Sequence, residues 1–148
     1  MSTENIITCL DQKVILLTQI WDLTKQIELR CTQDDIQLDD FLERRGVFIE
    51  RINKCNDLIG RLTAELPPEQ WERMTKLLNG KGTEADCGNE EERHILKLSR
   101  EYRFILQKAA ALDQSARDKL RKQCDELREK INQGRRTEGH DGIFQNIK

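Results

Sequence analysis

A chain of 148 residues, 35 % charged and 36 % hydrophobic, has room for one domain but not for a thick core. Its formal net charge of −2 provides no general attraction to nucleic acid or an acidic membrane, and its longest strong apolar run, Val14 to Leu17, is far too short to span a bilayer. Two prolines and eight glycines argue against a sheet protein and against general disorder. What remains is an elongated all-α fold: an antiparallel helical bundle or coiled-coil hairpin of three long helices and one short one.

The first helix is predicted from residue 4 to about 31. Ile7, Leu10, Val14, Leu17 and Trp21 follow three-four spacing and form one seam; Leu16, Ile20, Leu23 and Ile27 form a second beside it. Two adjacent seams make an apolar face wide enough for two partners. After a break at Cys31, Thr32 or Asp34 can cap a second helix reaching Leu66. Phe41, Phe48, Ile52, Cys55, Ile59, Leu62 and Leu66 supply its inner face, with Leu38, Leu42 and Ile49 beside them. Arg44 and Arg45 sit among these apolar positions, where long stems cover the core while the heads stay wet. Gly46 in mid-helix implies either a close helix approach or a bend.

Pro67-Pro68 ends that helix and starts a short one over residues 68 to 79, with Trp71, Met74, Leu77 and Leu78 inward and Asn79-Gly80 as its stop. A loop follows to Asn89. It contains GKGT, but neither the spacing nor the preceding strand of a phosphate-binding loop. From Glu90 to Gln133 runs one long helical pattern: Leu98, Tyr102, Ile105, Ala109, Leu112, Ala116, Leu120, Cys124, Leu127 and Ile131 recur at steps of three and four. At about 1.5 Å per residue it is about 65 Å long, so it must lay its stripe on partners. Gln133-Gly134 is the expected stop. The domain is then residues 1–134, followed by a flexible tail, 135–148, whose apolar residues are Ile143, Phe144 and Ile147.

Little here supports catalysis. The two histidines, His94 and His140, lie in polar surroundings, and no hydrolase, metalloprotease, dinucleotide or kinase signature occurs. The five cysteines are more than 20 residues apart, so no metal or redox motif forms and no cofactor is expected. Cys31, Cys55 and Cys124 fall on or near apolar stripes and Cys9 and Cys87 off them, a pattern of structural thiols in a reducing compartment. The segment MSTENIITCLDQK lacks the basic flank and apolar core of a secretory signal, so a cytoplasmic location is the simplest expectation.

The second helix opens with DDIQLDDFLERR (34–45) and continues with IERIN (49–53). The long helix carries ALD (111–113), runs into GRR from Gly134, and ends in a tail with GIF (142–144). In order and wording this resembles the small flagellar type III export chaperones of the FlgN and FliT kind. The resemblance implies a cytoplasmic, non-enzymatic protein that binds late-exported subunits, hook–filament junction or cap proteins, and meets the export apparatus. Where that family often carries a tyrosine in the tail, the nearest residue here is His140. The same seams also suit a homodimeric coiled-coil scaffold or adaptor without an export role. For a client, the expected contact is the least covered end of the long helix, Leu120, Cys124, Leu127 and Ile131, together with Ile143, Phe144 and Ile147 of the tail.

Overall fold

The computed structural model describes residues 2–33 and 37–147, with Ser2 and 136–147 described as backbone only. The described residues are helical and contain no strand: α1 (Ser2–Arg30), α2 (Asp39–Ala64), α3 (Pro68–Leu78) and α4 (Glu90–Ile147), with a short 3-10 turn at Glu84–Asp86. None of these helices is long and apolar enough to cross a membrane.

The architecture is centred on α1 rather than on the longest helix. Both α2 and α4 pack along α1, yet they hardly meet each other. The two adjacent seams of α1 together make a face wide enough for both partners. Three apolar clusters follow one another along the axis. At the foot, Ile6, Cys9 and Leu10 of α1 meet Ile59, Met74, Leu77, Ile95 and Leu96. In the middle, Leu16, Leu17 and Ile20 meet Ile52 and Ile105. At the head, Ile27 and Cys31 meet Ala116, with Phe41 and Leu120 against them.

The order of these clusters gives the directions. α2 runs antiparallel to α1, whereas α1 and α4 run parallel, because α2 and the short α3 carry the chain back to the foot before α4 begins. The long helices thus alternate up, down and up, so that α1 and α2 run antiparallel while the first and last are parallel.

The helix ends show their local causes. α3 stops in a full Schellman closure: Gly80 takes φ +70°, its N–H donates to the Leu77 carbonyl at 2.9 Å, and the Lys81 N–H reaches the Lys76 carbonyl at 3.1 Å. At the start of α4, the Asn89 side chain accepts the Glu92 N–H at 2.8 Å. The Glu92 carboxylate, wholly buried, accepts from Arg73 and from the Gly88 N–H, each at 2.5 Å. That network ties the loop and α3 to the foot of the bundle. Thr32 donates to the Leu29 carbonyl and so finishes α1 instead of capping α2, which begins at Asp39 with no side-chain cap; Asp34 lies outside the described residues.

Cys9 and Trp71 differ from expectation, and at Gly46 one of the two open readings falls away. Cys9 is buried, since it lies within the foot cluster with Ile6, Leu10, Ile59, Met74 and Leu77. Trp71 stays 47 % exposed while Met74 and Leu77 of the same helix are fully enclosed. At Gly46 an added Cβ would meet nothing within 4 Å, so this glycine serves no close helix approach.

Candidate docking surface

α4 is 58 residues long and α1 29, or about 87 Å against about 44 Å. Because the two run in parallel from a common foot, α1 is exhausted at Cys31, where it meets Ala116 and Leu120. Just before that point Lys119 and Ser115 of α4 both bond the Glu28 carboxylate of α1. The Lys119 hydrogen bond is the main reason the Glu28 carboxyl titrates below the ordinary glutamate range, with Ser115 adding to it. Beyond this clamp α4 projects alone as an arm.

Along the arm, from Arg121 to Arg135, every side chain is exposed except the half-buried Gln123. The predicted row is therefore divided. Leu120 is partly buried in the head cluster, whereas Cys124 is exposed, as are Leu127 (59 %) and Ile131 (45 %). These three lie three and four residues apart and share one face of the helix.

The arm does not end at Gly134. An added Cβ there meets nothing within 4 Å, and neighbours such as Arg135 and Arg136 favour continuation, so a single glycine cost of about 1 kcal/mol is absorbed. Ile143, Phe144 and Ile147 thus belong to α4 by backbone instead of following a helix stop. Their side chains, and that of His140, lie outside the described residues.

A second apolar feature escaped sequence reasoning. Since α2 and α4 are held apart over α1, a groove of about 350 Å³ opens between them, floored by Leu17 and Ile20 and walled by Ile49, Ile52, Leu106 and Ala109. Arg45 closes one end of it. Its guanidinium donates to Asp113 at 2.9 Å and to the Thr24 hydroxyl at 3.4 Å, and Asp113 also pairs with Arg117 at 2.9 Å. Arg45 is thus a strap from α2 to α4, not a solvated head. The only hint was its place on the inner stripe between Phe41 and Phe48.

Among the described residues, no group of three or more His, Cys, Asp or Glu is placed to hold a metal. His94 lines an open cleft among Glu90, Arg93, Lys97 and Arg100. Burial pushes the Cys9 and Cys31 thiols up, which disfavours thiolate chemistry at both. No family model, curated protein or solved structure matches the chain.

Proposed function

We propose that this chain is a non-enzymatic helix-docking protein of the export-chaperone kind. It holds an amphipathic segment of a late-exported flagellar subunit, a hook–filament junction or cap protein, in the cytoplasm and carries it to the export apparatus. The observation that carries the docking reading is the α4 arm, with Cys124, Leu127 and Ile131 exposed in one row beyond the end of α1. An apolar row left open on a soluble body marks an interaction site, and an amphipathic helix is the partner whose anchors match its spacing. The flagellar assignment is supported by the resemblance in DDIQLDDFLERR, IERIN and the GRR-to-GIF end. The fold suits such a role, because it offers a long accessible helix face without needing a cofactor.

The test is binding to junction and cap subunits by calorimetry. Leu127→Asp and Ile131→Asp should each weaken binding about tenfold or more, about 1.4 kcal/mol, with melting nearly unaltered. Ile52→Asp, in the middle cluster, should unfold the chain. A Leu127→Asp chain that binds as well as its parent removes the arm from the site. Failure to bind any such subunit, alongside capture of an unrelated helix, removes the export reading.

A further inference from the structure

The row on the arm repeats as a heptad: Leu120 and Leu127 occupy one core position, Cys124 and Ile131 the other. The residues bordering this seam follow from that register. On one side stand Arg121, Arg128 and Arg135, spaced by seven; on the other stand Gln123 and Lys130. The carboxylates of the same stretch, Asp125, Glu126 and Glu129, fall on the outward positions. The seam is therefore bordered by four cations and no anion, although the chain as a whole carries −2.

This border selects the occupant. A second copy pairing in parallel would set Lys130 against Arg135, and one pairing antiparallel would set the arginine edges against each other; both juxtapose like charges along the seam. A nucleic-acid backbone would meet the cations, but it offers nothing to the exposed Leu127 and Ile131 between them. We infer that the arm binds an amphipathic helix of another protein whose apolar row is bordered by aspartate and glutamate. This deepens the docking reading and rests on it. The borders set partner choice and orientation, and the apolar row supplies the contact.

Two helical peptides of equal length test it, both with leucine at the seam positions, one bordered by glutamate and one by lysine. Fluorescence anisotropy with the full chain should show the glutamate peptide binding about tenfold tighter or better, with the advantage shrinking as salt is raised. The triple variant Arg121→Glu, Arg128→Glu, Arg135→Glu should reverse the preference. Its helix content and melting should match the parent, since all three sites are exposed. Equal affinity for the two peptides, a preference that survives the reversal, or tighter binding of a short DNA duplex through the same arginines would overturn the inference. So would a dimer that occupies the arm. Binding of the glutamate peptide without any junction or cap subunit keeps this inference and removes the export reading. Subunits that bind the charge-reversed chain unimpaired do the opposite.

Discussion

The cysteines illustrate how much a single position owes to its neighbours. Cys9 sits in the foot cluster with Met74 and Leu77, and Cys31 in the head cluster with Ile27 and Ala116, while Cys124 stands open on the arm. A maleimide reagent should therefore label Cys124 first and reach Cys9 and Cys31 only on unfolding. Cys9→Ser, which buries a hydroxyl, should cost about 1–3 kcal/mol in urea unfolding, and Cys124→Ser less than about 0.5 kcal/mol. Gly46 sits in open space within regular helix, so Gly46→Ala should stabilise the chain by about 0.5–1 kcal/mol, read as a higher urea midpoint with an unchanged slope. A loss of stability there would mean that the glycine serves a contact after all.

At the scale of the helices, the clamp at the root of the arm governs how α1 holds α4. Glu28 is held ionised by Lys119 and Ser115, so its folded pKa lies below its unfolded one. The stability it contributes is then complete above the ordinary glutamate range and is lost as pH falls through the lower folded value. Glu28→Gln should accordingly be less stable than the parent at neutral pH, with the two curves converging in acid; a gap independent of pH would assign the effect to packing instead. The helix extents were legible in the chain itself, because Pro67-Pro68 and Asn79-Gly80 are strong local stops and the apolar periods are long. Gly134 misled for the opposite reason: an exposed glycine among good helix formers is a small local cost, and only a proline or a left-handed turn would have ended the helix. The burial of Glu92 and the reach of Arg45 to Asp113 were illegible, since each depends on a partner at least 19 residues away in sequence. The exposed row at Leu127 and Ile131 could be anticipated from the mismatch in helix lengths, but the α2–α4 groove could not, because periodicity does not tell which helices touch.

Taken as a whole, the molecule joins a packed body to an uncovered arm, and the two parts should differ in local stability. Amides from Arg121 to Arg135, backed by no other helix, should exchange with solvent orders of magnitude faster than those from Ile105 to Ala116, and should gain protection when a partner helix is bound. Uniform protection along α4 in the free chain would mean that something already covers the arm. The continuity of α4 has a mechanical side as well. From Leu120 to Arg135 the arm extends about 22 Å as a stiff rod, so a tilt of about ten degrees at its root carries the tip about 4 Å. Side chains at that root, Glu28 and Leu120 among them, thereby act as the fulcrum of a lever. A change at Glu28 would re-aim the tip of the arm without altering any side chain of the exposed row at Cys124, Leu127 and Ile131.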